Sequence, residues 1–154
     1  MLKEIKITGV KTTGGRFAIV ASKYNARYVD AMLRAAVAVL KKAKAEEIQV
    51  VRVPGAFEIP LVVSKLAGGS PSPDAIICLG VILRGATTHA QTVSDVVSYA
   101  LGTIALQAQT PIIHEVLLLE NEQQARERCL SKTHNRGAEA ALTALEMSRL
   151  LARL

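Results

Sequence analysis

Tryptophan is absent from the 154 residues, and only five aromatic side chains occur: Phe17, Tyr24, Tyr28, Phe57 and Tyr99. Proteins that hold single-stranded nucleic acid stack bases on aromatic rings, so no nucleic-acid partner is expected despite a formal charge of +6. Cysteine is almost as scarce. Cys78 and Cys129 lack the spacing of metal ligands, and a reduced pair in the cytoplasm is the expectation. No apolar run approaches the ~18–20 residues that a membrane span requires; the longest, Ala75 to Leu83, covers nine. Met1 to Lys6 mixes charged and apolar residues without an h-region, so no signal peptide is expected there. Walker A, G-x-G-x-x-G and G-x-S-x-G motifs are missing, as are internal repeats, low-complexity tracts and interdomain linkers. A single domain over residues 1–154 is the expectation.

What is present is aliphatic. Half of the residues are hydrophobic, which excludes intrinsic disorder and requires a core of Ala, Val, Ile and Leu. Charge is uneven: residues 1–52 carry eleven basic and four acidic side chains, net +7, and the remainder is net −1. With base stacking disfavoured, anionic small molecules are the first class of ligand to consider.

Apolar runs of strand length alternate with helical periodicity. Phe17–Ala21, Ile48–Val53, Ala75–Leu83 and Pro111–Leu119 read as strands, the third continuous enough to be buried on both faces. Arg27–Ala43, Phe57–Leu66, Glu122–Leu130 and Ala138–Leu154 read as helices. Between the last two strands, Val93, Val96, Val97, Ala100, Leu101, Ile104, Ala105 and Ala108 form one helical stripe. This order predicts βαβ units and a parallel sheet covered on both faces. Ligands of such sheets bind beyond the carboxyl ends of the strands, which directs attention to the segments after Ala21, Val53, Leu83 and Leu119. In the last helix, Ala138, Ala141, Leu142 and Leu145 make one stripe, while Met147, Leu150, Leu151 and Leu154 make a second about half a turn away. A helix whose apolar face changes sides is expected to meet two partners, its own core and another subunit; a frayed end is the alternative.

Arg84-Gly85-Ala86-Thr87-Thr88-His89 leads from a strand end into a helix start. Gly85 permits close backbone approach, Thr87 or Thr88 can cap, and the free N–H groups suit an anion. An ordinary capped turn has the same look. His89 falls in the first turn, where the dipole suits a neutral base more than a cation, although a lone histidine is more often structural. Pro54-Gly55 forces a sharp turn before Glu58, a carboxylate suited to a helix start and able to accept from polyol hydroxyls. Arg128 can make a bidentate phosphate contact or remain solvated surface charge. Arg27, Arg34 and Lys41 read as a solvated stripe, and Cys78 as core. His114-Glu115 begins like H-E-x-x-H, but the fifth residue is Leu118, so the zinc reading fails.

Together these segments resemble the lumazine synthase (6,7-dimethyl-8-ribityllumazine synthase) family of riboflavin biosynthesis. Val53-Pro54-Gly55-Ala56-Phe57-Glu58-Ile59-Pro60 and Gly80-Val81-Ile82-Leu83-Arg84-Gly85-Ala86-Thr87-Thr88-His89 look like its two most specific motifs. Ser22-Lys23-Tyr24-Asn25 matches its aromatic-Asn pair, with Tyr where Phe is usual; Glu120 to Ala125 and Arg128 match the run before its last turn. The resemblance implies a flavodoxin-like three-layer α/β/α sandwich with a four-stranded parallel sheet and an N-terminal strand added to a neighbouring subunit. It implies condensation of 5-amino-6-(D-ribitylamino)uracil with 3,4-dihydroxy-2-butanone 4-phosphate, without cofactor or metal. His89 would shuttle protons, and Arg128 with Gly85, Ala86 and Thr87 would hold phosphate. Tyr24 would stack on the pyrimidine, Asn25, Ala56, Phe57 and Glu58 would hold the ribityl chain, and Val81, Ile82 and Leu83 would line the ring.

The implied assembly is a homopentamer with sites between neighbours. A sixty-subunit shell is in range, because the spacing from Arg128 to Gly137 lacks the insertion of members that stop at the pentamer; association with riboflavin synthase is a further implied partner. The chain also departs from the family. His114-Glu115 stands where Phe-Gly is usual, at a place the neighbour contributes to the pyrimidine end. Leu118-Leu119 replaces Thr-Thr, Cys129-Leu130-Ser131-Lys132 replaces Ala-Gly-Thr-Lys, and Arg136 replaces a Lys in the site. Two other readings follow: a flavin- or lumazine-binding paralogue without turnover, and a basic shell protein that packages anionic cargo.

Overall fold

Four parallel strands carry the molecule in a computed structural model that describes residues 14–154. They are β1 (Arg16–Ser22), β2 (Glu47–Val53), β3 (Ala75–Leu83) and β4 (Ile112–Leu119), ordered β2-β1-β3-β4. The helices are α1 (Ala26–Lys42), α2 (Ile59–Ala67), α3 (His89–Ala108), α4 (Glu122–Cys129) and α5 (Arg136–Ala152). The fold is the expected flavodoxin-like α/β sandwich. The N-terminal strand expected to join a neighbour lies outside the described residues. Among those residues, no helix is long and apolar enough to cross a membrane.

Alternation along the strands divides the core into two layers. Phe17, Ile19 and Ala21 of β1 and Ile77, Leu79 and Val81 of β3 face α1, α4 and α5. Ala18 and Val20 with Ile76 and Cys78 face α2 and α3. Burial pushes the Cys78 thiol well above its ordinary range, as suits a core residue. The helix expected from Phe57 is divided: Pro54-Gly55 leads into a 3₁₀ turn at Ala56–Glu58 before α2 begins, with a proline in its first turn.

Two stripes differ from expectation. On α3 only Ala90, Val97 and Leu101 are buried, and Val96 is exposed, because the helix's outer flank is uncovered among the described residues. On α5 the buried line is Gly137, Ala140, Ala141, Ala144 and Leu145, while Leu142 is 41% exposed. The cause is close approach to α1: a Cβ at Gly137 would lie 2.0 Å from the Met32 carbonyl oxygen. Only small side chains fit that seam, so the helix turns Leu142 outward. In the second stripe Met147 packs against the core, and Leu150, Leu151 and Leu154 are exposed.

Gly137→Ala is therefore expected to destabilise the fold by at least about 3 kcal/mol, beyond ordinary overpacking, because the clash is with backbone. A fall in the urea midpoint is the readout; an unchanged midpoint would mean that α1 and α5 do not approach this closely.

Candidate active site

Parallel pairing brings the carboxyl ends of β1, β2 and β3 to one rim, with Ser22 opposite Val53. The loops leaving that rim are bonded to each other. Lys23 N–H donates to the Val53 carbonyl at 2.8 Å, and the N–H groups of Lys23 and Tyr24 both reach the Pro54 carbonyl at 3.1 Å. Asn25 adopts a left-handed conformation (φ 56°, ψ 43°), which Asn tolerates better than most residues. Its Nδ2 donates to the Val81 carbonyl at 2.7 Å, tying the start of α1 to β3. In the next loop the Gly55 N–H donates to Glu58 Oε2 at 2.9 Å, so Glu58 closes its own turn with one oxygen. Tyr24, Asn25, Ala56, Phe57, Glu58, Val81, Ile82 and Leu83 thus form one constellation.

Two of the five aromatic rings stand out in solvent at this rim: Tyr24 is 71% exposed and Phe57 60%. Exposed rings above a braced rim are suited to stacking on a planar ligand. Sequence reasoning missed Arg52, which donates through Nε to the Ala21 carbonyl and through Nη2 to the Ser22 carbonyl, and pairs with Asp30 at 2.8 Å. It also missed Ser22, whose buried hydroxyl has no hydrogen-bond partner among the described residues. Only the position of Ser22 at a strand end could have drawn attention to it.

Beyond β3, Arg84 is committed: its N–H donates to the Leu119 carbonyl, Nε to Glu120 and Nη2 to Gln91. The next residues are open. A Cβ at Gly85 would meet nothing within 4 Å, so the glycine is not needed for packing in the free chain. Neither threonine caps as expected. Thr88 makes no side-chain cap, and Thr87 Oγ1 reaches only the His89 N–H at a long 3.4 Å. Beyond the His89 N–H, the first turn of the 20-residue helix α3 therefore has no side-chain cap beside Gly85, Ala86 and Thr87, and His89 is exposed at its first position.

The remaining candidates gather around the outer strand β4. His114 pairs in register with Cys78 and Glu115 with Leu79, so His114 lies about 16 Å short of the end of the strand. Successive residues face opposite sides. His114 turns toward α3, where Nε2 meets Ser98 Oγ at 2.8 Å and Nδ1 accepts from the Val116 N–H at 3.1 Å. That pattern assigns the ring proton to Nε2. Glu115 turns toward α4 and α5, where Arg128 and Arg136 are its charged neighbours. Arg136 bonds Glu139 at 2.9 Å. Asn135 caps α5 through the N–H groups of Gly137 and Ala138 and donates to the Cys129 carbonyl, bracing the turn between the two arginines.

Burial pushes the Glu115 carboxyl up to about 7; Arg136 and Arg128 oppose the rise and Glu139 adds to it. Burial, with Glu115 nearby, pushes the Cys129 thiol up to about 11. No hydrogen bond or ion pair joins Arg128 or Arg136 to residues 85–87 among the described residues. Within one chain the candidates therefore form two groups, one on the rim and one on the edge. An apolar groove of about 570 Å³ runs beside β4, lined by Leu106, Ile112, Met147 and Leu151 among others. Among the described residues, no cluster of three or more His, Cys, Asp or Glu could hold a metal ion.

Burial lowers the His114 pKa below its ordinary value. Between the lowered value and the ordinary one the unfolded chain binds the extra proton, so this residue's effect weakens the fold as pH falls through that window. We expect ¹⁵N NMR to show a neutral ring protonated on Nε2, with a midpoint below about 6.5. A midpoint above that, or a proton on Nδ1, would contradict the Ser98 and Val116 contacts.

The family described as 6,7-dimethyl-8-ribityllumazine synthase matches residues 14–152 of the chain.

Proposed function

The chain belongs to the 6,7-dimethyl-8-ribityllumazine synthase family, and from that premise we propose that it condenses 5-amino-6-(D-ribitylamino)uracil with 3,4-dihydroxy-2-butanone 4-phosphate, yielding 6,7-dimethyl-8-ribityllumazine, phosphate and water. The family forms the lumazine of riboflavin biosynthesis and is one of transferases. The observation that carries the proposal is the bonded rim: Asn25 to Val81, Lys23 and Tyr24 to Pro54, and Glu58 to Gly55. These contacts hold two loops and the end of β3 in fixed relation before any ligand arrives, which lowers the ordering cost of binding.

In this reading the pyrimidine stacks on Tyr24 above Val81, Ile82 and Leu83. The ribityl hydroxyls meet Asn25 Oδ1, the peptide groups of Ala56 and Phe57, and the Glu58 oxygen not used by Gly55. The phosphate of the second substrate sits at the uncapped start of α3, on Gly85, Ala86 and Thr87. The 5-amino nitrogen attacks the ketone carbon, His89 moves a proton from nitrogen to the carbinol oxygen, and water leaves as the imine forms. Proton loss from the adjacent carbon then drives electrons through the new C–N system as the C–O bond to phosphate breaks. Arg128 and the N–H groups of α3 neutralise the departing charge. The enol left at the former hydroxyl-bearing carbon takes a proton on the terminal carbon to become a carbonyl, and the ribitylamino nitrogen closes the ring on it with loss of a second water.

Arg128, His114 and Arg136 lie with the edge group, so the complete site is proposed to form between two copies. One supplies the rim and its neighbour supplies the edge. The outer side of β4, unpaired among the described residues, its apolar groove, and exposed Leu106, Leu150 and Leu151 support such a contact. A homopentamer, and a shell of sixty built from pentamers, follow from the same reading.

The test is product formation from both substrates, followed by lumazine absorbance and fluorescence. His89→Ala is expected to lower kcat by about 10²-fold, and Arg128→Ala to lower kcat/KM for the phosphorylated substrate by about 10- to 100-fold. Folded protein that binds lumazine but forms none would favour the binding paralogue. Salt-sensitive copurification with nucleic acid and no product would favour packaging.

A further inference from the structure

Gly55 follows a proline in a turn, yet it does not use the conformational freedom of a glycine. Its φ of −132° and ψ of 177° are extended backbone that any residue adopts. What it provides is room. A Cβ at Gly55 would lie 3.0 Å from Tyr24 Cδ2, 3.2 Å from Tyr24 Cε2 and 3.0 Å from Glu58 Oε2, all inside ordinary van der Waals contact. One side of an exposed aromatic ring and one carboxylate oxygen therefore share the space that a side chain would fill. The backbones of both neighbours are fixed to the same turn. Tyr24 N–H donates to the Pro54 carbonyl at 3.1 Å, and Glu58 N–H donates to the Gly55 carbonyl at 3.3 Å. Gly55 N–H in turn holds Glu58 Oε2 at 2.9 Å.

We propose that Gly55 is a positioning residue whose bare Cα seats the Tyr24 ring beside the Glu58 carboxylate, setting the spacing at which the site grips a planar ring that carries a polyol chain. The proposal rests on the reading above, in which Tyr24 stacks on the pyrimidine and Glu58 meets the ribityl hydroxyls. A ring that is 71% exposed and unsupported would lose rotamer freedom on stacking. Resting against Gly55, it has given up part of that freedom before the ligand arrives. An added Cβ has to displace the ring, the carboxylate or both. Each is an exposed side chain that can swing into solvent, so the cost falls on the site and not on the fold. Gly85, Ala86 and Thr87 belong to a different loop, so the phosphate end is untouched by the change.

The experiment compares the whole folded protein with its Gly55→Ala variant. The urea midpoints are expected to agree. KM for the ribitylaminouracil is expected to rise about 3- to 10-fold, the worth of one well-placed stacking contact, with kcat and the KM for the butanone phosphate close to wild type. With Tyr24→Ala already in place, the same substitution is expected to change that KM less, because the two residues are coupled through the ring. Equal effects in both backgrounds, an equal rise in both KM values, or a lowered urea midpoint overturns the proposal. A further measurement needs no variant and no substrate: in ¹H NMR of the wild type, the Gly55 α-protons must show NOEs to the Tyr24 ring, and their absence also overturns it. Fluorescence titration with 6,7-dimethyl-8-ribityllumazine separates the two readings. If Gly55→Ala weakens lumazine binding by the expected factor while neither protein forms lumazine, the reaction reading falls and the seat stands. If lumazine forms and Gly55→Ala alters neither KM nor binding, only the seat falls.

Discussion

Parallel pairing is the constraint on which the rest depends. Each strand must return to the same end of the sheet before the next begins, so every carboxyl end arrives at one rim and every crossover becomes a covering helix. The register sets Ser22 against Val53 and Leu83 against Leu119, and the loops that leave those points begin within bonding distance of one another. Backbone groups that a loop would otherwise expose are taken up by the neighbouring loop, as where Lys23 and Tyr24 donate to Pro54. The rim is rigid because its peptide groups satisfy each other. That leaves the side chains of Tyr24, Phe57 and His89 outside, available to a ligand.

The two ends of the proposed chemistry rest on different physics. On the rim the polar groups are backbone amides and short side chains, oriented by hydrogen bonds and by the dipole of α3. On the edge they are charged side chains in partly buried surroundings, where Glu115 and His114 both shift toward their neutral forms. The strand separates these two, because adjacent residues point to opposite faces. His114 belongs with Ser98 on α3, and Glu115 with the arginines of α4 and α5. A dipeptide that reads as a pair in sequence is therefore two unrelated environments in space.

Much of the fold was legible because periodicity is a local property. Phe17–Ala21 read as a strand and Ala75–Leu83 as one buried on both faces; the first lies inside β1 and the second is β3. Pro54-Gly55 announced a turn, and it is the turn that carries Glu58. The clearest misreading was in the last helix, where Ala138 and Leu142 looked as good a core stripe as the one the structure buries. Helical spacing alone allows either face. The choice was made by Gly137, pressed against the Met32 carbonyl more than 100 residues earlier in the chain. Cap propensity says what Thr87 and Thr88 are able to do; in the structure Thr88 makes no side-chain cap and Thr87 makes only a long bond to the His89 N–H.

The sequence by itself determined the strand and helix order, the parallel sheet, the loops in which chemistry would be found and, through two specific motifs, the family. These follow from residue patterns that act over a few positions. Only the tertiary structure decided that Asn25 spends its amide on Val81, that Arg52 clamps β1 to α1, and that Arg128 and Arg136 share a corner with Glu115 rather than with Gly85. Each of these depends on which distant residue lies within a few ångströms. That is set by packing of the whole domain, and no local pattern encodes it.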